Sequence, residues 1–341
     1  MSKKLSILLI TIFLLTLKSY SQDINFQKIQ LEKKESFRGI SSPAENVIWI
    51  SGTHGTIGLS KDGGIHWEWK LVKGFEKTDF RDIHAFNSNE AIILGIDSPA
   101  VILKTFDGGN SWKEVYRNNT SGMFLDAMDF KKNNGIVVGD PINDRFFIAT
   151  TNNRGNEWHE LAFKKRPIAN KGEACFAASG SNIILLSKKK FLLVSGGANS
   201  SFIKNTNKKT IPFSTGQNTI GTNSITTFVN DNAKYIYVSG GNFAKDGEKD
   251  ESSYYSTSDG ETWNQPTNLP SGYRSAIAYI KNGKLITCGT SGIDVSSDYG
   301  QHWKLLNKES YHAIAISPSR EKVFLVGGKG NFGIILSSTI H

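Results

Sequence analysis

Thr105-Phe106-Asp107-Gly108-Gly109-Asn110-Ser111-Trp112 is the stretch of sequence that decides the fold. Its pattern, Ser/Thr-x-Asp-x-Gly-x-x-Trp, occurs five times with small changes, at residues 60–67, 105–112, 151–158, 256–263 and 296–303. The five tryptophans are separated by 45, 46, 105 and 40 residues. We expect one degenerate copy inside the longest gap, which corresponds to two periods. A period of about 40–50 residues is typical of the four-stranded blades of β-propellers.

Each copy has the composition of a tight turn that closes a β-hairpin. The Asp accepts hydrogen bonds from backbone amides of the turn, and the Gly adopts the positive φ that the turn requires. The Trp buries its ring between neighbouring blades. The third copy has Asn in place of Asp, and in the fourth the acid is shifted by one place. We therefore predict structural roles for Asp62, Trp67, Asp107, Trp112, Asn153, Trp158, Trp263, Asp298 and Trp303.

Two further strands precede each turn. The first begins with an aromatic-polar-small-apolar run, such as residues 37–40 and 80–83, and the second is apolar and ends at glycine. Counting these pairs gives seven, and the last blade lacks a fourth strand. Residues 24–31 alternate apolar and polar side chains, and a strand there would complete that blade and remove an exposed edge. The sequence predicts an all-β chain with a single seven-bladed propeller over residues 23–341, closed by this N-terminal strand.

Composition and charge exclude several classes of protein. The 341 residues include 40 basic, 31 acidic and two cysteine side chains, so neither disorder nor a disulfide scaffold is expected. Lys3 and Lys4 precede an apolar run at 5–17 and small residues at 19–21, a pattern typical of an export signal over residues 1–22. We expect a periplasmic or secreted monomer without a membrane span. The lysine runs at 164–166 and 188–190 lack stacking aromatics, so nucleic acid is not an expected partner.

Charged residues are predicted to converge on one mouth of the propeller channel. There the starts of the inner strands meet the loops that join the second and third strands. This placement predicts a binding set of Arg38, Arg81, Arg274, Asp82, Asp126, Glu173, His312 and Asp140. Such groups are either mutual ion-pair partners or a ligand site, because an unpaired charge near a channel axis is costly. The loop at 242–252 overhangs the same mouth.

The repeats resemble the photosystem II stability/assembly factor-like (BNR/Asp-box) propellers. The shared features are Phe-Arg-x-Ile at 37–40 and 80–83, the glycine-ended strand and the Thr-x-Asp-Gly-Gly-x-x-Trp turn. The resemblance implies an arginine-rich patch that binds a protein under assembly, at Arg38, Arg81 and Arg274. Members of the subgroup are often labelled oxidoreductases or glycosyl hydrolase-like proteins. No residue pattern here supplies a redox centre, a metal site or a cofactor site.

Two functions remain open at this stage. The first is an exported, non-catalytic propeller that holds an acidic segment of a partner protein in its arginine-bearing mouth. The second is a sialidase-like or other glycoside hydrolase, because Asp boxes are prominent in sialidases. Such an enzyme needs a nucleophile pair and an acid/base residue, for which Tyr311 or Tyr273, Glu173, and Asp126 or Asp82 are the candidates.

Overall fold

The computed structural model describes residues 24–96 and 98–341. Over these residues the chain consists of β-strands and four single-turn 3₁₀ helices, with no α-helix. The predicted all-β class is therefore confirmed. The 3₁₀ helices are Phe163–Lys165, Phe243–Lys245, Gly328–Gly330 and Ser337–Thr339. The predicted export signal, residues 1–22, lies outside the described residues.

Strand β1 (Phe26–Gln30) is followed by three four-stranded antiparallel sheets, each built from consecutive strands. The antiparallel order follows from the short turns between successive strands. The twelve strands of these sheets are β2 (Phe37–Ala44), β3 (Val47–Gly52), β4 (Thr56–Ser60), β5 (Glu68–Leu71), β6 (Phe80–Ala85), β7 (Ala91–Gly95), β8 (Ala100–Thr105), β9 (Lys113–Asn118), β10 (Leu125–Lys131), β11 (Asn134–Ile142), β12 (Arg145–Thr151) and β13 (His159–Glu160).

The next eight strands form one larger sheet. A single pair, Gly196 with Gly221, joins its two halves. These strands are β14 (Glu173–Ala174), β15 (Ile183–Ser187), β16 (Lys190–Gly197), β17 (Ser201–Lys204), β18 (Asn207–Thr210), β19 (Ile220–Asn230), β20 (Ala233–Asn242) and β21 (Ser253–Ser256).

The last sheet contains strands from both ends of the described chain. Strand β1 pairs antiparallel with β28, so this sheet has the order β1-β28-β27-β26. The preceding sheet is again four consecutive strands. Besides β1, these two sheets contain β22 (Ala276–Lys281), β23 (Lys284–Gly289), β24 (Gly292–Ser296), β25 (Lys304–Asn307), β26 (Ala313–Ile316), β27 (Lys322–Val326) and β28 (Asn331–Leu336).

Seven strands, here called the inner strands, contact one another in a circle, in the order β2, β6, β10, β15, β19, β22, β26 and back to β2. The hydrophobic core lies between successive sheets, because each sheet presents an apolar face to the next. Trp112, for example, meets Trp49 of the preceding sheet edge-on at 6.5 Å between ring centres. A side chain of this size stabilises the fold by about 2–3 kcal/mol when fully buried.

Side chains of the inner strands also bond to the backbone of the next sheet. The Asp82 carboxylate accepts the Met128 N–H at 2.7 Å, and the Asp129 carboxylate accepts the Leu185 N–H at 2.6 Å. Further around the circle the Ser224 hydroxyl accepts the Ile277 N–H at 3.0 Å. These bonds fix adjacent inner strands at a common height, and so they align the strand ends at the mouth.

The repeated turns lie at the opposite ends of the hairpins. In the second copy, Asp107 Oδ1 accepts the Thr105 hydroxyl at 2.8 Å and the Ser111 N–H at 2.9 Å. Asn153 accepts the equivalent bonds in the third copy. In the fourth copy the Ser258 hydroxyl accepts the Thr262 N–H at 2.9 Å, whereas the shifted acid, Asp259, pairs with Lys204 outside the turn.

Candidate functional site

A cavity of about 480 Å³ opens where the inner strands begin. Its titratable lining residues from the predicted binding set are Arg38, Arg81, Asp126, Asp140 and His312. Three of them are second residues of inner strands, so the repeat itself brings them to one end of the circle. The structure thus brings together five of the eight residues in the predicted binding set.

Two arginines from neighbouring sheets form the cationic side of the cavity. Arg38 Nη1 donates to the Ala178 carbonyl at 3.4 Å, and Arg81 Nη2 lies 3.7 Å from Asp79. Burial and the charge of Arg81 lower the pKa of Arg38. Burial and both arginines lower the pKa of His312 to about 3, so this imidazole is neutral at physiological pH. The repulsion between the guanidinium groups would be relieved by an anion placed between them.

Two carboxyl groups form the acidic side. Asp126 is 0% exposed, and Asp140 Oδ1 accepts the Cys175 N–H at 2.9 Å. Burial raises the pKa of Asp140 to about 6, against the lowering effect of that N–H. Burial and the charge of Asp140 raise the pKa of Asp126 well above its ordinary value, although Arg81 acts in the opposite direction. The cavity is therefore bipolar, with guanidinium and carboxyl groups on one surface.

Aromatic rings form much of the remaining wall. The aromatic residues of the lining are Phe124, Phe176, Phe243 and Tyr273. The Phe243 ring meets Phe176 and Tyr273 edge-on, at 5.7 Å and 6.3 Å between ring centres. Phe243 is 45% exposed, which is unusual for a ring of this size beside a cavity.

Several buried polar atoms of the lining have no hydrogen-bond partner among the described residues. They are both carboxylate oxygens of Asp126, Nε of Arg81, Oδ1 of Asn223 and Oγ1 of Thr290. Buried polar groups are almost always paired, because each one left unpaired costs about 1–3 kcal/mol. Five such atoms lie around this one cavity, so bound water or a polar ligand is expected to pair with them.

The chain is similar to assembly factors of photosystem II over part of its length. The family model of the photosynthesis system II assembly factor YCF48 matches residues 18–120. Photosystem II stability/assembly factor HCF136 from Oryza sativa subsp. japonica is 31% identical over 115 residues, and the same factor from Arabidopsis thaliana is 29% identical over 113 residues. Each match covers 32% of this chain and 26% or 27% of the relative. The chain therefore spans about a quarter of the length of these curated relatives.

Solved structures match nearly the whole chain at low identity. YCF48 bound to D1 peptide has a TM-score of 0.62 and 19% identity, with coverage of 92% of this chain and 95% of that chain. YCF48 from Cyanidioschyzon merolae has a TM-score of 0.61 and 16% identity, covering 92% and 99%. The WD40 propeller domain of Doa1 has a TM-score of 0.63 and 13% identity, covering 93% and 99%.

The predicted resemblance to the photosystem II assembly factor-like propellers is confirmed. The structural neighbours add the propeller fold and nothing further, since all three are below 20% identity.

Arg274 does not join the other two arginines, although the three share a place in the repeat. It is fully buried and ion-paired with Asp294, and its Nη1 donates to the Tyr273 carbonyl at 2.7 Å. Strands β2 and β6 begin one residue before their arginine, whereas β22 begins only at Ala276. The Arg274 N–H bonds to the Gly240 carbonyl as the Phe37 N–H bonds to the Gly327 carbonyl, so Arg274 takes the place of Phe37 and not that of Arg38. Tyr273 and Ser275 line the cavity instead.

Two other residues of the predicted binding set lie away from the cavity lining. Glu173 is buried, with its carboxylate 2.9 Å from Lys208 Nζ and 2.6 Å from the Asn170 N–H. Asp82 is buried in the contact between inner strands described above. Both carboxylates are occupied by bonds within the chain.

The residues named for a glycosidase are also dispersed. Tyr311 is fully buried and packs edge-on against Phe26 of β1, at 6.1 Å between ring centres. Of the named residues, Asp126 and Tyr273 line the cavity, while Tyr311, Glu173 and Asp82 do not. The predicted combination of nucleophile, partner and acid is therefore not assembled at this mouth.

The loop at 242–252 contributes Phe243 to the cavity wall, as its predicted overhang requires. The Asp246 carbonyl accepts the Tyr273 N–H at 2.9 Å and the Ser291 hydroxyl at 2.6 Å. These bonds tie the loop to the next sheet. Sequence reasoning did not single out Phe243 or Phe176, because both lie in segments outside the repeat. The sequence feature that could have identified them is an isolated aromatic residue, in a polar loop for Phe243 and in a stretch of small residues for Phe176.

Within residues 24–96 and 98–341, no group of three or more His, Cys, Asp and Glu side chains is arranged to hold a metal ion. In the same part of the chain, no helix has the length and apolar character needed to cross a membrane. Cys175 and Cys288 are buried free thiols.

Proposed function

We propose that this chain is an exported, non-catalytic binding propeller that holds a peptide segment of a partner protein in the cavity. In this proposal Arg38 and Arg81 receive acidic groups of the segment. The observation that carries the proposal is the set of unpartnered buried polar atoms around a 480 Å³ cavity. Guanidinium groups bind carboxylates through paired, charge-assisted hydrogen bonds, so they provide orientation as well as affinity.

The relatives support this class of function. One structural neighbour is YCF48 bound to D1 peptide, and the curated relatives are stability/assembly factors of photosystem II. A role in holding a client segment during assembly is consistent with both. The client of this chain is a separate question, since the sequence matches cover a third of it.

We also propose that the fold has seven blades. The eight-stranded sheet counts as two blades joined at Gly196 and Gly221, which gives seven blades around the circle of inner strands. The pairing of β1 with β28 then closes the ring. A closed ring provides a rigid rim on which loops from several blades can meet.

The test is affinity selection from a library of acetylated, amidated peptides derived from the host's envelope proteins. The chain starting at residue 24 is compared with Arg38→Ala/Arg81→Ala. The matched control is Lys113→Ala/Arg117→Ala, which removes two positive charges from the exposed strand β9. We expect acidic peptides to bind the parent and the control and to be lost from the cavity variant. Equal selection by all three proteins would contradict the proposal.

A further inference from the structure

The acidic side of the cavity lacks a partner within the chain. Both oxygens of Asp126 are buried without a hydrogen bond from any described residue, and the residue is 0% exposed. Asp140, on the same lining, accepts one backbone N–H through Oδ1. Arg81 lies on the same lining, where its charge acts on Asp126, and its Nη2 is 3.7 Å from Asp79. Burial and Asp140 raise the pKa of Asp126, so this carboxyl group keeps its proton while the cavity is empty. A cationic donor bound beside it favours the ionised form and offsets the cost of burying that charge.

The aromatic rings that share the lining with the carboxyl groups suit a cation. The faces of Phe and Tyr rings carry partial negative charge, so they attract ammonium and guanidinium groups in a desolvated site. Phe124 and Phe176 lie on the cavity with the two carboxyl groups, and Phe243 and Tyr273 continue the wall. His312 and Cys175 also lie on this lining, but no group of three or more His, Cys, Asp and Glu side chains among the described residues is arranged to hold a metal ion.

We propose that the cavity binds a basic side chain of the partner segment, with Asp126 and Asp140 as its acceptors and the aromatic wall around its alkyl stem. The inference rests on the proposed function, and it adds that the recognised segment carries a cation as well as an acid. The arginines and the carboxyl groups then bind the two opposite charges of one segment within the same cavity. The order of the charges along the segment fixes its direction.

The experiment uses acetylated, amidated hexapeptides randomised at every position with Gly, Ser, Leu, Glu, Lys and norleucine. Norleucine has the stem of lysine without the ammonium group. The parent chain is compared with Asp126→Asn/Asp140→Asn, with Arg38→Ala/Arg81→Ala and with Arg81→Ala alone, and folding of each is checked by circular dichroism. We expect Lys to be enriched over norleucine by about tenfold on the parent, and this preference to be lost on the asparagine variant.

The outcomes separate the two proposals. Lys enrichment that disappears only with the asparagines supports the inference, whether or not Glu enrichment depends on the arginines. Glu enrichment without Lys enrichment overturns the inference and leaves the proposed function standing. Lys enrichment that appears only in Arg81→Ala also overturns it, because Arg81 would then be the internal partner of Asp126. Lys enrichment that persists in the asparagine variant places the cation elsewhere and overturns it as well.

Discussion

At the scale of single residues, the surroundings of an arginine decide its role more than its place in the repeat. Arg274 and Asp294 are both fully buried and paired, whereas Arg81 is partly exposed and 3.7 Å from Asp79. Arg274→Ala leaves a buried carboxylate without its partner, so we expect the free energy of unfolding to fall by about 3–5 kcal/mol. Arg81→Ala is expected to change it by less than about 1 kcal/mol. Urea unfolding followed by tryptophan fluorescence measures both, and equal losses would contradict this assignment.

The aspartate of the repeated turn acts through its acceptor oxygen. Hydrogen bonds from the Ser111 hydroxyl and N–H lower the pKa of Asp107 to about 2. In another copy the Asn153 amide oxygen accepts the equivalent threonine hydroxyl and backbone N–H. An asparagine Nδ2 at position 107 can donate to the Ser111 hydroxyl in place of the bond to Oδ2. Asp107→Asn should therefore cost less than about 0.5 kcal/mol, whereas Asp107→Ala should cost about 1–2 kcal/mol. The measurement is urea unfolding at neutral pH. An asparagine variant as unstable as the alanine variant would show that the charge, and not the acceptor, holds the turn.

At the scale of elements, we expect deletion of strand β1 to lower the stability of the protein more than deletion of any other single strand end. It contributes five paired residues to the last sheet, and Leu31 just beyond it is buried. Deleting residues 24–31 leaves the edge of β28 exposed, so we expect a lower melting temperature and self-association. Differential scanning calorimetry and light scattering measure these against the chain starting at residue 24. A synthetic peptide of residues 24–31 should restore the monomer. A truncated chain that melts unchanged and stays monomeric would refute the prediction.

The sequence predicts well those elements whose structure is determined by residues within the element itself. The turn at 105–112 encodes its own hydrogen bonds, and the strand at 47–52 encodes its burial through an apolar run. The prediction that Arg274 lies in the cavity is wrong because its backbone is offset by one residue from that of Arg38. This offset depends on packing between sheets, which the repeated sequence pattern does not encode. Phe243 was missed because its loop is a single insertion, and its position depends on bonds to a different sheet.

At the scale of the whole molecule, buried carboxyl groups on several inner strands make stability depend on pH. Burial raises the pKa of Asp82 to about 8 and that of Asp129 to about 6, and both carboxylates lie between sheets. Burial lowers the pKa of His84 to about 4 and that of His312 to about 3. The histidines contribute stability above their ordinary pKa that is lost as pH falls through the folded values. The carboxyl groups contribute stability at low pH that is lost as pH rises through theirs.

Between pH 7 and 8 the two histidines are neutral in the folded and unfolded chain, and Asp129 is ionised in both. Asp82 still holds its proton when folded and has lost it when unfolded, so its contribution declines with rising pH. We expect the free energy of unfolding to fall by about 1 kcal/mol across this interval because of Asp82, with Asp126 acting in the same direction.

Asp82→Asn, measured by urea unfolding at pH 7, 7.5 and 8, should flatten the slope of this free energy against pH because an amide does not titrate. Asp129→Asn is the matched control, and it should leave the slope unchanged although it removes an equivalent bond between sheets. If both variants keep the parent slope, Asp82 is ionised in the folded protein, and its two backbone N–H donors outweigh its burial.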